Sequence, residues 1–196
     1  MSTLFFSFIR KVCFATALLS AANSHAGLIV ISGELVGATG VVISGLGTYD
    51  VSFEDGTCAS VFTGCDELSD FGFASIDQTI SAGQALLEQV FVDSEFGLFD
   101  SIPALIRGCE DDNKCIALIP NKLTESWVFS QNIVNSTSES ADKVSWSSNL
   151  GYDQSIVGRS NTTFAVFTQV VPVPTPASVL LFGFALISLV RFKRKK

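Results

Sequence analysis

The last 26 residues place the tightest limit on how this chain can fold. Val171, Pro172, Val173, Pro174, Thr175 and Pro176 lead into an uncharged apolar run at 177–190, which Arg191, Phe192, Lys193, Arg194, Lys195 and Lys196 close. Proline lacks a backbone N–H and fixes φ, so this stretch stops a helix from extending upstream, while Pro176 suits a first helical turn. A helix over 176–192 would be about 25 Å long at 1.5 Å per residue. That is the lower limit for crossing a bilayer. A core helix there would draw a cluster of five cations, in the chain's last six residues, towards the interior. As a span it lets them snorkel and hold the C-terminus on the cytoplasmic side. A single transmembrane helix is the expectation.

The opposite end predicts export. Arg10 and Lys11 supply a positive region, residues 12–22 form a short uncharged run, and small residues stand at the two positions a signal peptidase reads, Ser24 and Ala26. Cleavage after Ala26 is the preferred site, with Ala22 or Asn23 as the alternative. Cys13 opens the apolar run instead of following it, which argues against acylation as a lipoprotein. The chain thus divides into a signal peptide with its helix (1–26), an exported domain (27–170) and a membrane-directed tail (171–196).

The order of proline motif, short apolar helix and basic terminus resembles the PEP-CTERM sorting signal of exported bacterial proteins. Pro174, Thr175, Pro176 and Ala177 occupy the place of that family's Pro-Glu-Pro-Ala, with Thr175 in place of the usual glutamate. Arg191, Lys193, Arg194, Lys195 and Lys196 stand as its basic stop. The resemblance covers about 25 residues. It implies a Gram-negative host, retention of the precursor in the inner membrane, processing by an exosortase-type enzyme, and release to the cell surface or medium. No Leu-Pro-x-Thr-Gly sortase motif occurs, and a GPI signal lacks such a basic end. Residues 49–65, the Asp/Phe-rich stretch after them and the helix expected at 82–92 also resemble a middle region of other PEP-CTERM proteins, which brings no agreed activity with it.

Charge narrows the partners. All 19 acidic residues lie between Glu34 and Asp153, while the exported part holds only Arg107, Lys114, Lys122, Lys143 and Arg159, so it carries −14 against −7 for the whole chain. Such a surface repels nucleic acid and anionic membranes, offers no basic groove for phosphates, and keeps a secreted protein soluble.

Four cysteines remain after the signal: Cys58, Cys65, Cys109 and Cys115. They allow three pairings, of which proximity favours Cys58–Cys65 with Cys109–Cys115. A four-thiolate zinc site or a redox pair is the alternative. Neither spacing is C-x-x-C, and an oxidising compartment favours bridges.

The pattern between the ends predicts an α+β domain, β-rich and antiparallel, with one main helix at about 81–92. Residues 28–31, 41–43 and 49–53 read as strands, 54–56 as a turn, 59–62 as a returning strand, and 127–134, 144–147 and 164–171 as later strands. Ser81 is the expected N-cap, and Ala82, Leu86 and Val90 share a helical face. The glycines at 33–47 suit tight turns and close strand packing. Residues 135–142 read as an exposed turn.

Candidate chemistry is mostly excluded. The only histidine, His25, belongs to the signal, so the mature chain has no Ser-His-Asp triad, Cys-His pair or histidine-ligated metal. No phosphate-loop motif occurs, and no cofactor is expected. Glu110, Asp111 and Asp112, or Asp66, Glu67 and Asp70, carry the oxygens calcium prefers, but neither set has EF-hand spacing. Asn135 and Asn161 head glycosylation sequons. The expectation is a non-enzymatic, exopolysaccharide-associated extracellular or surface protein, its aromatics Trp127, Trp146 and Tyr152 available to stack on sugars. The alternatives are a carboxylate-based polysaccharide hydrolase, recognisable by two acids about 5–9.5 Å apart in a cleft, and a calcium-dependent binding module.

Overall fold

Alternation of apolar and polar residues builds most of the domain. In the computed structural model, residues 26–138 and 141–171 are described, with the backbone alone at Trp146 and Ser147. The expected signal residues before Ala26, and all of the expected tail 171–196 except Val171, lie outside them. Nine strands form: β1 (Gly27–Ile31), β2 (Glu34–Ile43), β3 (Gly47–Glu54), β4 (Asp93–Ser94), β5 (Gly97–Leu98), β6 (Lys114–Leu123), β7 (Trp127–Ser136), β8 (Lys143–Gly151) and β9 (Thr162–Gln169). Two helices join them, a single turn α1 (Cys58–Val61) and the long α2 (Ile76–Gln89).

Seven strands make one sheet in the order β1-β2-β3-β9-β6-β7-β8, and β4 and β5 form a separate small hairpin. Two three-stranded meanders are joined through β9, the last strand in the chain. It runs antiparallel to β3 (Tyr49↔Gln169) and parallel to β6 (Ile116↔Thr162). Every other pairing between the named strands is antiparallel.

Both faces of the middle strands are covered, which period-2 alternation makes possible. On β9, Ala165 and Phe167 turn to the face under α2, while Phe164 and Val166 turn to the other. Under α2 the core includes Phe53 stacked on Phe91, ring centroids 5.4 Å apart. The helix approaches the sheet closely because Gly83 sits against Ile133 and Val144. The opposite face is sealed by the loop that Cys58 and Cys65 close. There Phe62 lies edge-on to both Phe71 and Phe164 at 5.4 Å.

Three local expectations are corrected. The main helix starts at Ile76 and ends at Gln89; Ser75, not Ser81, is its cap, accepting from the Gln78 N–H. Ser81 is interior and its hydroxyl donates to the Asp77 carbonyl. Residues 59–62 do not form a strand. Thr57 and Ser60 cap each other reciprocally and start a helical turn there. The turn expected at 135–142 begins later, since Asn135 and Ser136 belong to β7 and Asn135 is wholly buried. β6, not anticipated from the sequence, carries Pro120 at a register shift, where its missing N–H is tolerated.

Candidate functional site

The cysteines pair locally: Cys58–Cys65 and Cys109–Cys115, each with an S–S separation of 2.02 Å. All four sulfur-bearing residues are buried. The second bridge closes the acidic loop of Glu110, Asp111 and Asp112 beside the start of β9, where the Glu110 and Asp111 N–H groups both donate to the Ser160 carbonyl.

In each predicted calcium loop some carboxylates are engaged in local hydrogen bonds. Asp111 Oδ1 accepts from the Asn113 N–H and side-chain amide, and these bonds hold its pKa below the usual range. Asp70 Oδ2 accepts from the Asp66 and Glu67 N–H groups, and Glu67 accepts from Ser69. Among the described residues, no group of three or more His, Cys, Asp or Glu is placed to hold a metal ion.

The most perturbed carboxyl lies elsewhere, in residues that sequence spacing did not connect. Asp100 follows the β4–β5 hairpin, and Asp142 precedes β8. Folding brings them into a side-chain hydrogen bond. Burial first, then that bond and the charges of Asp142 and Asp93, push Asp100 up to about 6. Asp142 Oδ1 accepts from the Ser136 N–H at 2.7 Å. Asp93 accepts from the Asp100 and Ser101 N–H groups at 3.0 Å and from the Ser101 hydroxyl at 2.6 Å, which holds its pKa low. Nearby, Asn135 Nδ2 donates to the Phe99 carbonyl at 2.7 Å, so this buried sequon asparagine is committed to the fold.

A second acidic group gathers at the same end of the sheet. Asp55 is raised chiefly by burial, then by Glu110, Glu34 and Glu54, with Arg107 opposing. Arg107 Nε lies 3.6 Å from Glu34. This end attracts cations by its summed field. Asp100 and Asp142, in direct hydrogen-bond contact, are closer than the about 5–9.5 Å that glycoside hydrolysis requires between its carboxyls. Below about pH 6 such a pair shares one proton.

Trp127 and Tyr152 do not join this acidic end. Trp127, 45% exposed, opens β7 at the other end of the sheet, opposite Gly151. Tyr152 packs against the second core cluster, and the Trp146 side chain lies outside the described residues. Pro174, Thr175, Pro176, Ala177, the basic stop and Ser24 also lie outside them. Among the described residues no helix is long and apolar enough to cross a membrane.

The class thus defined is a mixed seven-stranded sheet with one long helix on one face and a disulfide-closed loop on the other. No protein-family model, curated protein or solved structure matches this chain.

Proposed function

We propose that this is an exported extracellular or surface protein, anchored in the inner membrane as a precursor by its C-terminal helix. An exosortase-type enzyme then releases it to an exopolysaccharide matrix, where it acts without catalysis. The observation that carries this reading is the order of the tail: Pro174-Thr175-Pro176-Ala177, the apolar run 177–190, and the cations of Arg191 and 193–196. Two disulfide bridges suit an oxidising compartment. The acid-rich domain suits solubility in a hydrated matrix.

The test is the intact, unreduced mass of the protein from its native host, taken from membrane and medium separately. A released form lacking residues 1–26 and the basic tail, light by the hydrogens of two bridges, supports the reading. A membrane form that keeps Arg191 and Lys196, with nothing released, makes the tail a permanent anchor and defeats it.

A further inference from the structure

We propose that, while anchored, the domain stands end-on against the lipid surface, with the β2–β3 turn and the exit of β9 as its contact. This rests on the membrane-anchored reading above.

Strand direction sets the geometry. The pairings Gly27↔Thr39, Ile43↔Gly47 and Tyr49↔Gln169 place the start of β1, the β2–β3 turn and the end of β9 at one end of the sheet. Both routes to the apolar ends of the chain leave there. They are three strand spacings apart, about 15 Å at 4.8 Å each.

The leash is short. Only residues 172–175 separate Val171 from Pro176. At no more than about 3.3–3.6 Å per residue, Val171 stays within about 18 Å of the helix start. Ten-residue β2 alone is about 33 Å long. The domain therefore cannot stand inverted, with its opposite end as the sole contact.

The chemistry of the end agrees with its position. No charged residue occurs in 35–49 or in 160–190. Val42 pairs with Thr48, and the Val170 N–H donates to the Thr48 carbonyl, so these three form a row across β2, β3 and β9. In it Val42 is 42% exposed and Val170 39%, and Val171 beyond is 75% exposed. Apolar surface of this kind fits the headgroup–acyl boundary. Glu34, Glu54, Asp55 and Glu110 sit at the far end, turned away from the anionic lipids that would repel them. Glu88, Lys122, Glu125 and Asp153 lie beside the contact rather than in it, which confines it to the β1–β3 and β9 half.

The experiment uses the full membrane-bound chain carrying Cys13→Ser, in phosphatidylcholine vesicles containing a lipid-borne shallow quencher. Single fluorophores are attached through Ser44→Cys in the β2–β3 turn, Asp112→Cys at the far end, and Ser178→Cys in the tail. The expected result is quenching at 178 and 44 several-fold above that at 112. Quenching at 178 with 44 no more quenched than 112 overturns the docking and leaves the anchor standing. No quenching at 178 overturns both. Shielding of 44 from aqueous quencher, with chain-to-chain crosslinks and no lipid quenching, makes a second copy the occupant and likewise overturns it.

Discussion

The Gln89 side chain pairs with the Val42 backbone as a strand would: Oε1 accepts from the Val42 N–H at 3.0 Å, and Nε2 donates to its carbonyl at 2.8 Å. β1 begins at Gly27 opposite Thr39, so Val42 lies past the point where β1 covers the edge of β2. The last residue of α2 supplies the missing partner. A long unpaired edge is a template for aggregation, and this clamp also pins the helix to the sheet. Gln89→Ala should lower stability by about 1–2 kcal/mol, since two partly exposed hydrogen bonds are lost. Gln89→Glu, which sets a carboxylate oxygen against the Val42 carbonyl and a negative charge at the C-terminal end of the helix, should cost at least as much as Gln89→Ala. Urea unfolding of the three proteins with a common m-value checks this, and an unchanged midpoint for Gln89→Ala would show that water replaces the clamp at no cost.

Gly83 sets up a contest between helix propensity and packing. Alanine in a helix interior gains about 1 kcal/mol over glycine. A Cβ there, however, would collide with Ile133 Cδ1 and stand 3.0 Å from Val144 Cγ2. Overpacking costs about 1–3 kcal/mol, so Gly83→Ala should destabilise. Ile133→Val removes the colliding methyl. The double variant should therefore be more stable than the two single changes predict by addition, and strict additivity in thermal melts sinks the explanation.

Asp100 gives a definite sign to pH dependence. Its folded pKa is raised to about 6, against about 3.9 for a free aspartic acid. A raised acid binds its proton more tightly when folded. Its stabilisation is thus complete below about pH 4 and lost as pH climbs through about 6. Asp93, held low, acts oppositely and is lost as pH falls through its own range. Asp100→Asn keeps a neutral hydrogen-bonding partner for Asp142 and removes the titration. Melting temperatures between about pH 4 and 7 should decline with pH in the parent and more shallowly in the variant, where the raised Asp55 still titrates; parallel curves would assign the slope to other groups.

The Cys58–Cys65 bridge closes the loop that seals one face of the sheet. Replacing both with serine should cost about 2–3 kcal/mol by loop entropy, and more through loosening of Phe62 against Phe164. Because both residues have no exposed surface, a mild reductant should open this bridge only as fast as the domain opens. Thiol trapping over time, with and without urea, measures that rate. Immediate trapping without denaturant would contradict the burial.

Much of the sheet is legible in the residues. Tyr49, Val51 and Phe53 alternate with Thr48, Asp50 and Ser52, and the strand follows. The helix boundary was obscured because two serines offer a cap. Ser75 prevails since Asp77 sits in the first turn, where its charge favours the helix dipole. Thr79 and Gly83, both buried, hide the apolar stripe that would have marked the earlier start. β6 was masked by Pro120 and the buried Asn121, whose amide donates to Thr79 Oγ1 at 3.1 Å. Residues 59–62 look like a strand by composition, yet the flanking cysteines and the Thr57–Ser60 cap make a turn of helix cheaper. The Asp100–Asp142 contact is invisible in the sequence because only the fold brings residues 42 apart together. The tail proposed to be a sorting signal is the reverse case, since that resemblance lies in the order of residues alone.

If the chain is exported as proposed, the place of β9 has a consequence for the order of events at the membrane. A chain threaded outward from its N-terminus delivers β1–β3 first and β6–β8 next, as two halves with β3 and β6 as bare edges. Residues 162–169 arrive last and are the keystone between them. Closure of the domain thus waits for the residues that directly precede the tail. On the exported reading proposed above, the chain would stay threadable until almost all of it had crossed, and the domain would close only as the residues next to the proposed tail arrive.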